Sequence, residues 1–291
     1  MNQTTNRAYE SWRVPPNMPL LTLLTRDHQE DVVRLNSLFS LSGEATLSTE
    51  VPPHIYVGNR KNKTPGNNIL LMGINPFLSD NPEFQKHNID TPLRCLKKYN
   101  QTNDPSSFED WLYFQENYFL SSAYNGRHFT RIGNLIGQRW FPETYNSQPK
   151  DMASRMTLHK HLIEVDAVPY YSRKASFNSE KLAAAMRTDP ALKAHLSMIE
   201  SIIHDVKPRW IQVNGLGPSE VVKQCFIEGS VELLNDGPDK KTEIQVGHAI
   251  FGDQRIPVLM HKFLKSPSGP QSAESWDTLW NTWENWLKTT Q

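Results

Sequence analysis

Three polar residues stand where short apolar runs end, and their types could do chemistry together. Asn75 follows the run 69–72 within Gly73-Ile74-Asn75-Pro76-Phe77, Asp166 closes Leu162-Ile163-Glu164-Val165, and His261 closes Ile256-Pro257-Val258-Leu259-Met260. A carboxamide can orient a water, a carboxylate can accept hydrogen bonds from a ligand, and an imidazole can stabilise developing negative charge. Taken alone, the first stretch favours the plainer reading of a strand followed by an ordinary Asn-Pro turn.

The elements that must hold these residues follow from the apolar pattern. Residues 69–72 are too few for a helix and suit a strand buried on both faces, as in the middle of a parallel sheet. Gly73 permits a sharp turn, and Pro76 has no N–H with which to continue a ladder. Further strands are expected at 162–168, 209–214 and 256–261. Helical periodicity covers 25–40, and 179–206 with a break at Asp189-Pro190; Pro218 opens another helix, and Trp276, Trp280, Trp283 and Leu287 mark one that docks by its apolar face. The pattern predicts a three-layer α/β/α domain over 1–291 around a central four-stranded parallel sheet. An arm without regular structure occupies about 1–20, and an insertion of short helices and loops about 78–127. Right-handed crossovers then bring Asn75, Asp166, Asn214 and His261 to one sheet edge, where open α/β sheets bind ligands.

Composition narrows the class without naming a partner. The 291 residues carry 31 basic and 31 acidic side chains, so a nucleic-acid surface must be a local patch. With only Cys95 and Cys225, neither a disulfide framework nor a four-cysteine metal site can be built. No metal and no cofactor are expected, and the paired His159 and His161 are assigned to the surface. Without an apolar leader or spanning segment, the expectation is a cytoplasmic, monomeric protein with no membrane partner. Gly215-Leu216-Gly217-Pro218 does not fit a dinucleotide fingerprint, and no nucleophile elbow occurs.

Gly73-Ile74-Asn75-Pro76, followed near the far end by a strand, His261 and Ser266-Pro267-Ser268-Gly269, resembles the two motifs of the uracil-DNA glycosylase superfamily. The resemblance spans most of the sheet in order, and its first motif is similar to that of the mismatch-specific and thymine-DNA glycosylase branch. It implies a monofunctional DNA glycosylase that flips a nucleotide and hydrolyses its N-glycosidic bond, leaving an abasic site. Asn75 would position the attacking water, and His261, or a group in 266–269, would stabilise the departing base. Ile74, Phe77, Asp166 and Ser268 would line the base pocket. DNA would be held by Arg131, Arg173, Lys174, Lys262 and Lys265, with Phe263 in the loop that wedges into the duplex.

Two positions depart from the family pattern. Phe77 replaces a glycine and would crowd the C5 side of a base. Asp166 stands where the family commonly has Asn; an ionised carboxylate there would face the O4 acceptor of uracil but accept from the N4 amino group of cytosine. The expectation is a modified cytosine, as in the anti-phage glycosylases of this superfamily that remove glucosylated hydroxymethylcytosine. Asp166 could instead cap its turn or pair with Arg173. Two other functions stay open: a reader that flips a modified base without cleaving it, and a uracil or mismatch glycosylase in repair.

Overall fold

The computed structural model describes residues 17–61, 63–235, 240–263 and 269–290. Strands β1 (Ile69–Gly73), β2 (Leu162–Asp166), β3 (Trp210–Asn214), β4 (Glu232–Leu234), β5 (Ile244–Phe251) and β6 (Gln254–His261) form one mixed sheet in the order β2-β1-β3-β6-β5-β4. The four expected strands run parallel, but the sheet does not stop at four: β5 pairs antiparallel with β6, and β4 antiparallel with β5. The hairpin lengthens β6, which begins at Gln254 rather than Ile256 and turns through Gly252 at φ 60°.

Alternation along the strands divides the core in two. Leu70, Met72, Ile163, Val165, Ile211 and Val213 meet helices α1 (Met18–Leu24) and α8 (Pro190–Val206) on one face. Ile69, Leu71, Leu162 and Trp210 meet α5 (Gly126–Trp140), α6 (Ala153–His161) and α10 (Ala273–Thr290) on the other. Trp276, Trp280 and Trp283 are at most 2% exposed, so the C-terminal tryptophans are core, as their spacing predicts. Each large side chain buried this way contributes about 1.5–3 kcal/mol before entropy is counted.

Helix α2 (His28–Phe39) is capped by Asp27 on the Glu30 N–H, and α7 (Ser179–Thr188) meets α8 at Asp189, whose carboxylate caps the Ala191 and Leu192 N–H groups. The arm expected over about 1–20 does not reach that far, because Asn17 caps α1 and residues 18–20 are helical; its first sixteen residues lie outside the described ones. Helix α9 (Leu216–Cys225) begins two residues before Pro218. The 78–125 segment is built of short helical pieces, including α3 (Thr91–Thr102) and α4 (Glu109–Asn117), and Phe108, Trp111, Phe114 and Phe119 are core.

The segment before β1 docks against β2 at Gly58. The Val57 N–H donates to the Glu164 carbonyl and the Glu164 N–H donates back to Val57. Gly58 adopts φ +117°, and an added Cβ would lie 2.3 Å from the Leu162 carbonyl oxygen. Gly58→Ala therefore combines backbone strain with overpacking, and is expected to cost on the order of 3 kcal/mol, read as a lowered urea midpoint at unchanged m-value.

Candidate active site

Register places the strand-end residues in one row. Asp166 is paired with Gly73 and His261 with Asn214, and β1 lies between β2 and β3. Beyond the strands the chain stays paired for several residues. The Ala167 N–H donates to the Gly73 carbonyl, Val168 to Ile74, Ser172 to Pro76, and Leu78 to Ser172. The Gly-Ile-Asn-Pro turn is thus clamped along its length to the segment after β2.

Asn75 is fixed by its amide nitrogen. Nδ2 donates to Ser172 Oγ at 2.8 Å and lies 3.3 Å from both the Tyr170 and Pro76 carbonyl oxygens. Its Oδ1 makes no hydrogen bond among the described residues and is left to accept from a water or ligand. Tyr170 is anchored in turn through its hydroxyl, which donates to Asp31 Oδ2 at 3.2 Å. Asp31 is 2% exposed and held by Arg26 and Arg34 at 2.6 and 2.7 Å. Burial pushes the Asp31 carboxyl up, but the two guanidinium groups outweigh it and hold it below the usual range. The ion network of Asp31 with Arg26 and Arg34 thereby anchors the tyrosine whose carbonyl contacts Asn75.

Gly73 is what lets Asp166 stand over β1: a Cβ there would lie 2.2 Å from Asp166 Oδ1. Asp166 is 6% exposed, and among the described residues neither carboxylate oxygen has a hydrogen-bond partner. It does not cap its turn, since Ala167 bonds to Gly73, and it does not pair with Arg173, which bonds Asp80 Oδ1 at 2.5 Å. Burial first, then the neighbouring Glu164, drives the Asp166 carboxyl well above the ordinary carboxylate range. The group expected from sequence to be ionised and acceptor-only thus stands in surroundings that favour its protonated form, which offers one O–H donor and one carbonyl acceptor.

Sequence reasoning missed His54 and gave Glu164 no role. His54, Glu164 and Asp166 are all buried, and one nitrogen or oxygen from each lies within 4.8 Å of the others. His54 Nε2 is 3.4 Å from Glu164 Oε2, and its Nδ1 is 3.3 Å from the Tyr171 hydroxyl, which donates to Asn88 Oδ1 at 3.1 Å. Burial pushes the Glu164 carboxyl up to about 8 and lowers the His54 imidazole. The insertion closes over this cluster, with Phe84 edge-on to Tyr171 at 5.3 Å. His195, on α8, donates from Nε2 to the Asp166 carbonyl at 2.6 Å. The visible signal was Glu164 and Asp166 two apart on an otherwise apolar strand.

The remaining candidates divide. His261 is 3% exposed and engaged at both ring nitrogens: Nδ1 lies 2.8 Å from the Lys262 carbonyl and Nε2 lies 2.9 Å from Gln212 Nε2. Nδ1 therefore carries the proton and Nε2 accepts, and burial lowers the imidazole to about 4. This histidine presents no ring nitrogen to a ligand. Phe77 and Phe263 are 60% and 40% exposed, and Leu216, the first residue of α9, is 67% exposed. Ile74 packs toward Gly217, where a Cβ would come within 2.9 Å of its Cδ1. Phe77, whose backbone bridges to Ser172, is the most exposed residue of the turn.

Of the expected phosphate contacts, Arg173 is paired with Asp80, Lys262 sits between the Lys240 carbonyl and Glu243, and Arg131 donates to the Gln271 carbonyl. Lys174 is exposed, and its ammonium has no partner among the described residues. Ser268 and Lys265 lie outside the described residues. His161, expected on the surface, is 8% exposed and stacked on Phe141 at 3.9 Å. No helix among the described residues is long and apolar enough to cross a membrane. No protein-family model matches the chain, and no curated protein matches it.

Proposed function

We propose that the chain is a DNA glycosylase that takes a flipped pyrimidine at the carboxyl edge of β1 and β2 and hydrolyses its N-glycosidic bond. A modified cytosine is the substrate in view. The observation that carries this reading is the pairing of Asn75 with Asp166. One offers a fixed, unpartnered carbonyl oxygen, and the other a buried carboxyl with no protein partner among the described residues, on adjoining strand ends.

In this reading Asn75 Oδ1 accepts a hydrogen bond from the attacking water and aims it at the sugar C1′ while the base departs. A carboxamide does not take up the proton, so the base leaves with the electron pair of the broken C–N bond, the water's proton is lost to solvent, the released base is protonated from solvent, and positioning supplies the rate enhancement. Asp166 meets the hydrogen-bonding edge of the base: its O–H donates to cytosine N3 while its carbonyl accepts from N4. Phe77 offers an exposed ring against which a base or its neighbour stacks, and Leu216 and Phe263 stand on the same edge for the space left in the duplex. Lys174 supplies charge for a phosphate.

One observation favours the alternative of a reader that flips a base without cleaving it, namely the inward-bonded His261, which leaves the departing base without an imidazole. The two are separated by incubating the purified protein with DNA containing glucosylated hydroxymethylcytosine and with unmodified DNA, then treating with alkali. Strand breaks confined to the modified DNA are expected. Tight binding without breaks would overturn catalysis and leave the reader.

A further inference from the structure

Glu164 lies on the same face of β2 as Asp166, two residues earlier, so the strand's alternation forces two carboxyl groups into one buried space. No lysine or arginine among the described residues pairs with either. The groups that face them are His54 from the segment before β1, Tyr171 from the segment after β2, Tyr118 from the insertion, and His195 on the Asp166 backbone carbonyl.

Hydrogen-bond directions limit where the protons can be. The Tyr171 hydroxyl gives its single proton to Asn88 Oδ1, so its oxygen accepts from His54 Nδ1–H. The Asn88 orientation is set independently, because its Nδ2 donates to the Phe84 carbonyl. A neutral His54 then turns a bare Nε2 toward Glu164 Oε2, 3.4 Å away, and two lone pairs face one another unless Glu164 carries a proton there. Glu164 Oε1 is left as an acceptor on the side of Asp166. A Cβ built at Gly73 would lie 2.2 Å from Asp166 Oδ1 and 3.7 Å from Glu164 Oε1, so the two oxygens flank the same point.

We infer that Glu164 is a positioning partner of Asp166 that sets its hydrogen-bonding character. Placed beside it and tied to His54, it holds Asp166 as a neutral acid that meets a pyrimidine with one donor and one acceptor. This rests on the glycosylase reading and deepens it. An ionised Asp166 would set a lone pair against cytosine N3 or against uracil O4, losing one of the two contacts in either case. The neutral acid matches the N3/N4 edge of cytosine with two hydrogen bonds. The same group can satisfy N3 and O4 of uracil, so the selection of cytosine must come from elsewhere in the pocket, and Asp166 sets only the requirement for a paired donor and acceptor.

The test uses the full-length protein and measures base release against pH for the wild type, Asp166→Asn and Glu164→Gln, alongside ¹³C-carboxyl NMR titration of Asp166 in the wild type and Glu164→Gln. The neutral acid predicts that wild-type release falls at alkaline pH. Asp166→Asn, whose amide keeps one donor and one acceptor, should retain release within roughly ten-fold and lose that alkaline fall. In the wild type the two carboxyls lose their protons against one another, so leaving Asp166 as the single ionisable member in Glu164→Gln should move the fall, and the Asp166 titration, to lower pH.

Loss of all release in a folded Asp166→Asn protein, or an alkaline limb that Glu164→Gln leaves in place, would overturn the inference. So would one tightly bound divalent cation per chain, lost in His54→Ala, since a cation would then stand where the protons are placed. If no DNA yields free base at any pH, the glycosylase reading fails by itself. The NMR titration then still decides: an Asp166 carboxyl ionised at neutral pH would overturn the neutral acid.

Discussion

Asn75→Ala is expected to slow base release by about 100-fold or more while DNA binding, followed by fluorescence anisotropy, changes no more than a few-fold. The asymmetry follows from geometry. Asn75 Nδ2 is spent on Ser172 and the Tyr170 carbonyl, and only Oδ1 is left for a water, so the side chain contributes little to holding DNA. Asn75→Asp sharpens the expectation. A carboxylate is the better general base, but at this position it would face the Tyr170 and Pro76 carbonyl oxygens with no proton to offer. It should therefore be less active than the wild type at neutral pH. An Asn75→Asp variant faster than the wild type would show that proton uptake, rather than orientation, limits the reaction.

The second large effect lies in stability. Glu164 has its folded-state carboxyl raised to about 8, with burial as the cause, and Asp166 is raised in the same direction by burial and by Glu164. Acids whose folded pKa exceeds the unfolded value hold protons that the unfolded chain releases. Their stabilisation is complete below the unfolded value near 4 and is lost as pH rises through the folded one. Unfolding free energy should decline between about pH 5 and 8, by about 1.4 kcal/mol per pH unit for each retained proton. Glu164→Gln should flatten part of that slope. Asp31 acts with the opposite sign. Its folded pKa is depressed, so its stabilisation is present above the unfolded value and disappears as pH falls through the folded one. Urea unfolding from pH 3 to 9 should give a stability maximum on the acid side of neutrality. A curve flat from pH 5 to 8 would show that the Glu164 and Asp166 pair is not protonated in the folded state.

Much of the architecture is legible in the residues because the central strands are short apolar runs with abrupt ends. Gly73 and Pro76 stop β1, Pro169 follows β2, and Gly215 stops β3. With right-handed crossovers these strands place Asn75 and Asp166 on one sheet edge, and the pairing of β1 with β2 makes them neighbours. The outer hairpin was not legible, because β5 runs through Gly247 and His248 and β6 opens with Gln254 and Arg255, polar positions that suit a half-exposed sheet margin. His54 was out of reach for a different reason. It follows Pro52 and Pro53 in a stretch without periodicity, and its partner Glu164 is 110 residues away in sequence. Asp166 was visible, but its surroundings were not: the charge of a carboxyl depends on burial and on what surrounds it, and sequence alone supplied only the residue type. His261 shows the converse, since a strand-end position does not say whether a ring turns outward or bonds inward to Gln212.

The most direct measurement is mass spectrometry of the bases released by the purified protein from DNAs carrying uracil, 5-methylcytosine, hydroxymethylcytosine or its glucosides, with Asn75→Ala run in parallel. Release of a modified cytosine as the free base, leaving abasic sites, and its near-disappearance in Asn75→Ala is the expected result. Release of uracil alone would contradict the substrate assignment, and equal release by Asn75→Ala would contradict the mechanism.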